Sequence, residues 1–387
     1  MPREACTARA LCYNSAVNQR DLLHAAADAL EKNSAAARGS KVLVGLDGFV
    51  DEIIAVVDKR ETATNFSRIS TITQLAQRIG AAAGNSASIE LVVERVKLGG
   101  NGPIMANALA AFGARTTYLG ALGSPRVHPA FTKLADNARV ISVAEPGHTK
   151  ALEFDDGKIM LGTLPSLHGL SWGVLKTKVG CDKLLRLMDE VSLVAMANWT
   201  MLAGMTEIWR RMQKEICPKL SRGREQLFFA DLADPTRRKT EELREALNVL
   251  RGFSPTFRVV LGLNRHEAAL AAHALDMPRT ENAEVEKLAA FIHDKLQLDS
   301  VVVHPREFAV SASPRGLVRV EGPFTPKPKL STGAGDHFNA GYCLGRLLGL
   351  DDAGALQAGV GTSGFYVRTG KSPSCRELAK FLKSLTK

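Results

Sequence analysis

Aromatic side chains are scarce in this chain, 6% of 387 residues, and its one tight basic cluster, Arg237–Lys239, runs directly into Glu241 and Glu242. Without aromatic platforms or a basic stripe, nucleic acid is excluded as the expected partner. The formal charge of +10 is otherwise dispersed. It reads as a basic surface that also attracts polyanionic substrates such as nucleotides. The six cysteines contain no C-x-x-C pair and no histidine at zinc-finger spacing. A disulfide framework and a structural zinc site are therefore excluded, and reduced thiols in a cytoplasmic protein are expected. No apolar run reaches the roughly 18 residues of a membrane span, so no membrane partner is expected. The opening MPREACTARALCYNSAVNQR lacks the apolar stretch of a secretory signal.

Hydrophobic content of 45% is enough for a sizeable core. Residues 1–38 read as an N-terminal extension, with helical spacing from Asp21 to Lys32 and a break at Arg38–Ser40. From residue 39 to 387 short apolar strands alternate with helical segments. The strands are expected at Lys41–Leu46, Thr116–Leu119, Leu193–Ala197, Gln226–Ala230, Arg258–Leu261 and Ser300–Val303. Such alternation predicts an α/β domain with a mostly parallel central sheet and helices on both faces. Strand-like runs near 47–58, 88–98 and 149–162 fall outside that rhythm. The last contains an Asp156-Gly157 hairpin signal. They predict a small β lid beside the main sheet.

The most informative segment is LSTGAGDHFNAGYCLG, residues 330–345. Gly333, Ala334 and Gly335 form a side-chain-poor loop at the start of an apolar-periodic helix, where backbone N–H groups and the helix dipole favour an anion. Asp336 comes next, in the first turn. A carboxylate beside a bound phosphate is electrostatically costly, and abstraction of a hydroxyl proton at the phosphoryl acceptor supplies a reason for it. The competing reading is a helix start capped by Asp336.

Gly333-Ala334-Gly335-Asp336, with Phe338 and Gly341 after it, resembles the C-terminal signature of ribokinase-like (PfkB-type) carbohydrate kinases. The resemblance implies that Gly333, Ala334 and Gly335 form an anion hole for the transferring phosphoryl group and that Asp336 is the catalytic base. Three further matches occur in family order. Gly99-Gly100-Asn101-Gly102 resembles the sugar-binding segment, and Asp51, with Asp47 as its rival, resembles the aspartate that grips sugar hydroxyls after the first strand. Asn264 and Glu267 match an N-x-x-E motif that orders magnesium-bound water near the phosphates. Taken together, the resemblance implies an ATP-dependent sugar kinase using ATP and Mg2+, ribokinase-like in fold, with small-molecule partners and a homodimer formed through the lid. A nucleoside kinase of the same family and a degenerate sugar-binding regulator are the alternatives.

The chain departs from the family pattern at Leu330, where the family has an aspartate, and at His304-Pro305-Arg306, where it often has a nucleotide contact. Two glycine patterns are decoys. Gly359-Val-Gly361-Thr-Ser-Gly364 satisfies G-x-G-x-x-G without a preceding strand, so Gly359 and Ser363 are assigned to helix packing or to the nucleotide-binding wall. Gly364–Ser372 ends in G-K-S at the wrong spacing for a phosphate loop. His337 is not expected to pair with Asp336, since adjacent helical side chains diverge by about 100°. Asn101 and Asn107 are read as candidate replacements for a sugar-binding asparagine, and Asp231 and Asp234 as a supporting pair or a turn.

Overall fold

The computed structural model describes residues 19–386, so the first 18 residues of the expected extension lie outside the described residues. Strands are numbered in chain order. The first eight are β1 (Lys41–Leu46), β2 (Phe49–Arg60), β3 (Phe66–Arg68), β4 (Leu91–Gly99), β5 (Arg115–Gly120), β6 (Arg139–Ser142), β7 (Gly147–Phe154) and β8 (Gly157–Thr163). The remaining six are β9 (Leu193–Met196), β10 (Leu227–Asp231), β11 (Arg258–Leu263), β12 (Ser300–Val303), β13 (Phe308–Ser313) and β14 (Gly316–Glu321).

Nine strands make one sheet in the order β14-β13-β12-β11-β10-β9-β1-β5-β6. All neighbours from β12 to β6 are parallel, and the β12–β13 and β13–β14 pairs at one edge are antiparallel. Successive core strand residues face opposite sides, as the two-residue period requires. Leu43, Leu46, Val194 and Met196 pack into the core on one face, and Val42, Val44, Leu193 and Ala195 into the core on the other. With both faces covered the strands read as continuous apolar runs, which is why they were legible.

The second face is covered by the helices Asn101–Ala111, Ala334–Leu347, Asp352–Thr369 and Cys375–Ser384, together with Gln19–Lys32. That first helix buries Leu23, Ala26, Ala27 and Leu30, and its Asp28 and Glu31 both pair with Lys383.

The remaining strands form a five-stranded sheet on β2, which pairs antiparallel with β4 and β3 and parallel with β7; β8 closes the β7 hairpin at Asp156-Gly157. Its own small core joins Ile54, Val56, Leu75, Leu152 and Phe154. The expected lid strands are thus present as one sheet. Only Asp47 and Gly48 separate β1 of the main sheet from β2 of the lid. No described helix is long and apolar enough to cross a membrane.

Candidate active site

The functional side chains gather at the carboxyl ends of the parallel strands, where open α/β sheets place their ligands. Asp47 follows β1, Asn198 follows β9, Asp231 ends β10, Asn264 follows β11, and the helix Ala334–Leu347 lies over them. Its N-terminus carries Asp336, 7% exposed, one turn below the half-buried loop Thr332–Gly335.

Asp336 is the point where the four sequence motifs meet. The Asn101 amide nitrogen donates to its Oδ1 at 2.9 Å. Burial pushes its carboxyl well above the ordinary range, and the charges of Asp231, Asp47 and Glu267 add to the shift, with only the Asn101 bond opposing it. Asp47 and Glu267 belong to the strand-exit and N-x-x-E motifs and Asn101 to the double-glycine motif. Residues as far apart in the chain as Asp47 and Asp336 therefore converge on one carboxylate.

Each partner is held by its local structure. Asp47 is completely buried, accepting from the backbone N–H of Asn101 at 3.0 Å and of Gly102 at 2.9 Å and from the Asn198 amide at 2.8 Å. Burial raises it to about 6 despite those three bonds. Asp47 therefore organises the glycine turn, its oxygens already committed. Asp51 is buried on β2, opposite Lys97 on β4 and Thr149 on β7, with its carboxylate lying directly on the Gly99 backbone. A side chain at Gly99 would meet that carboxylate at 2.3 Å, which explains the glycine. Gly100 has φ 94° and starts the Asn101–Ala111 helix. The Asn107 amide nitrogen donates to Ser372 Oγ at 3.1 Å, whereas that of Asn101 reaches Asp336.

Asn264 and Glu267 form a reciprocal capping box, each side chain accepting from the other's backbone N–H at 2.9 Å. One oxygen of each is thus engaged in starting the helix. Glu267 is buried and raised to about 8, by burial first and then by the charge of Asp231. Among the described residues no group of three or more His, Cys, Asp or Glu side chains is arranged to cage a metal ion. The donor set suits a divalent cation held through water and phosphate oxygens. The ionised forms of Asp47, Asp231, Glu267 and Asp336 penalise one another, and a cation relieves that penalty.

In the glycine loop, Gly333 has φ 90° and ψ 3° and caps the helix from the left-handed region. The three expected loop amides are not equivalent. The Ala334 N–H donates to Ser331 O at 3.1 Å, whereas those of Gly333, Gly335 and Asp336 make no hydrogen bond among the described residues. The anion hole expected of Gly333, Ala334 and Gly335 is corrected to that extent, because Ala334's donor is already engaged.

Gly359 is buried, and a side chain there would meet the Phe338 ring at 2.8 Å, so it is a packing position between the two long helices. Ser363, four residues on, is half-buried. Asp234 caps the turn at Thr236, and Trp199 is core, its indole bonded to Thr206 at 2.8 Å. His304 is half-buried and stacked on Phe338, with ring centroids 4.4 Å apart.

Two further polar side chains at strand ends support the site. Asn198, at φ 64°, orients Asp47. Asp231 accepts from Asn339 at 2.9 Å and so ties β10 to the catalytic helix. A polar residue just past an apolar strand was the available signal for both.

The model of the prokaryotic ketohexokinase family matches residues 19–385, nearly the whole chain. The chain belongs to that family. The ketohexokinase of Haloferax volcanii is similar, 31% identical over 345 residues covering 89% of this chain and 91% of that protein. Solved structures similar in fold include a mutant phosphofructokinase-2 of Escherichia coli (TM-score 0.65, 15% identity, 90% of this chain and 99% of that one). Another is Arabidopsis thaliana ribokinase complexed with ribose and ATP (TM-score 0.60, 15% identity, 89% and 98%). The fold is ribokinase-like, and this member of the ketohexokinase family is a sugar kinase, a phosphotransferase with a hydroxyl acceptor.

Proposed function

We propose that the chain transfers the γ-phosphate of ATP to a primary hydroxyl of a ketohexose, with Asp336 as general base. The observation that carries this reading is the contact of Asp336 with Asn101 inside a cluster joined by Asp47 and Glu267. The substrate class rests on the names of the matched family and of the Haloferax relative.

Asp336 accepts the proton of the acceptor hydroxyl, and a carboxyl raised by burial is a better base once ionised. The free amides of Gly333 and Gly335, with that of Asp336 itself, face the phosphoryl group at the positive end of the helix. Asp51, Asn101 and the backbone of Gly99 and Gly100 orient the sugar, while Asp47 fixes the turn that carries them. Asn264 and Glu267 would hold Mg2+ through water, and the ion would supply neutralisation of charge on the nucleotide. The five-stranded lid keeps water from competing as acceptor.

Ser363 is assigned to the nucleotide wall, with residues 39–387 as the catalytic unit and 1–38 as a helical addition. The exposed Leu91, Val93, Val96, Met160 and Leu161 on lid strands support a homodimer through the lid. The unpaired thiols of Cys181, Cys217, Cys343 and Cys375 support a reducing, cytoplasmic setting.

The test is ADP release with Mg-ATP over a panel of ketohexoses, aldohexoses and nucleosides. Ketohexose-dependent ADP formation that needs Mg2+ supports the reading. ADP release with nucleosides alone, or with no acceptor at all, overturns it.

A further inference from the structure

The glycine loop is braced from behind by side chains that the reaction itself does not use. His337 sits in the first turn of the helix but turns away from Asp336. Its Nδ1 lies 2.7 Å from Gly333 O and its Nε2 2.8 Å from Ser372 Oγ. The ring stacks on Tyr366, with centroids 3.6 Å apart and planes 14° from parallel. The Tyr366 hydroxyl donates to Thr332 O at 2.8 Å, and the Asn107 amide nitrogen reaches Ser372 Oγ at 3.1 Å.

The directions of these bonds are set by the groups themselves. A carbonyl only accepts, so Nδ1 carries the proton and Nε2 is an acceptor. The Asn107 N–H only donates, so Ser372 accepts there and passes its own hydrogen to Nε2. One tautomer of neutral histidine satisfies every partner. Burial favours that neutral ring, lowering its pKa to about 4.

The two braced carbonyls belong to consecutive peptide units. In a planar trans peptide the C=O and N–H point in opposite directions. Holding Thr332 O therefore aims the Gly333 N–H, and holding Gly333 O aims the Ala334 N–H, which meets Ser331 O. Gly333, at φ 90°, has no side chain to restrain it; its own carbonyl also accepts the His337 backbone N–H at 3.1 Å, so the ring adds a second bond to one plane, while on the Thr332 side the Tyr366 hydroxyl does the holding.

We propose that His337 is a positioning residue for phosphoryl transfer, which with Tyr366 fixes the peptide planes on both sides of Gly333 so that the free Gly333 N–H is preorganised towards the transferring group. This inference rests on the kinase reading above. Preorganised donors stabilise developing charge without reorganising at the moment of reaction, so loss of the brace lowers turnover more than sugar binding.

Substitution separates the two bonds of the ring. Asparagine carries an N–H close to where Nδ1 sits and reaches Gly333 O; glutamine reaches as far as Nε2 and meets Ser372 instead. The experiment measures kcat, the KM for the ketohexose and the thermal midpoint for the wild type and for His337→Ala, His337→Asn, His337→Gln and Tyr366→Phe.

The alanine variant is expected to lose about 10- to 100-fold in kcat with the sugar KM within about threefold. Asparagine should restore most of that loss and glutamine little of it. Phenylalanine at 366, which keeps the stack and loses only the hydroxyl that holds Thr332 O, should also lower kcat. An active wild type with an unimpaired alanine variant overturns the inference alone. So does equal rescue by asparagine and glutamine, or a loss that merely tracks the thermal midpoint across the series. A wild type that releases no ADP with any ketohexose overturns both the inference and the kinase reading.

Discussion

Replacing Asn101 by leucine removes the one described side chain that hydrogen-bonds Asp336 while keeping nearly the same volume. The bond is 2.9 Å long and its acceptor is a carboxylate. Hydrogen bonds to charged groups contribute about 1.5–3 kcal/mol. It is made to the ionised form of Asp336, so its loss favours the protonated form. At about 1.4 kcal/mol per pH unit, that moves the protonation of Asp336 upward by roughly one to two pH units. The base must be ionised to act, so the acid limb of the rate profile moves up by the same amount. The assay is kcat against pH at saturating ketohexose and Mg-ATP, which separates the effect from any weakening of sugar binding. A variant whose activity falls equally at every pH, with the limb unmoved, would refute the coupling between Asn101 and the base. A limb that moves down would refute its sign.

Other perturbations test the remaining parts. Asp336→Asn keeps the shape and the buried environment but removes the base, so turnover should fall at least ~10²-fold with nucleotide affinity retained; undiminished turnover removes Asp336 from the mechanism. Glu267 has a folded value of about 8 against an ordinary 4.5. The folded state therefore holds that proton more tightly, and the stability it contributes is complete below about pH 4.5 and lost as pH rises through about 8. The thermal midpoint without Mg2+ should thus fall between about pH 6 and 9, and Mg-ATP should recover more of it at the alkaline end; a midpoint that rises over this range contradicts the assignment. Gly333→Ala imposes a side chain on a residue at φ 90°, with the new Cβ 3.2 Å from the Tyr366 hydroxyl oxygen. It should cost about 1–3 kcal/mol, read in denaturant unfolding, together with most of the turnover.

The parallel sheet was legible because burial on both faces leaves uninterrupted apolar runs, and the lid strands because they break the alternation. The pairing of β2 with β7 was not, since nothing local in either strand names a partner about a hundred residues away. The hairpin at Phe308–Ser313 and Gly316–Glu321 and the edge strand Arg139–Ser142 also lay outside the expected set. In the site, Gly333, Gly335 and Asp336 were legible because a backbone-lined loop at a helix start has a compositional signature. What Asp47 does was not: its oxygens are committed to Asn101, Gly102 and Asn198, a fact that exists only once three separate segments have folded together. Asn264 and Glu267 show the converse, a motif read for its metal that also carries an ordinary helix-starting function.

The two-residue joint between β1 and β2 has a mechanical consequence. Gly48 is pressed so closely on Ala121 that a side chain there would fall 1.9 Å from the Ala121 carbonyl oxygen, so nothing larger than glycine fits at this joint without displacing the segment that follows β5. Asp47 lies in the joint itself and Asp51 on β2 just beyond it. Crowding this joint would therefore disturb both carboxylates together, because Asp47 holds the N–H groups of Asn101 and Gly102 while Asp51 lies on Gly99 of the same turn.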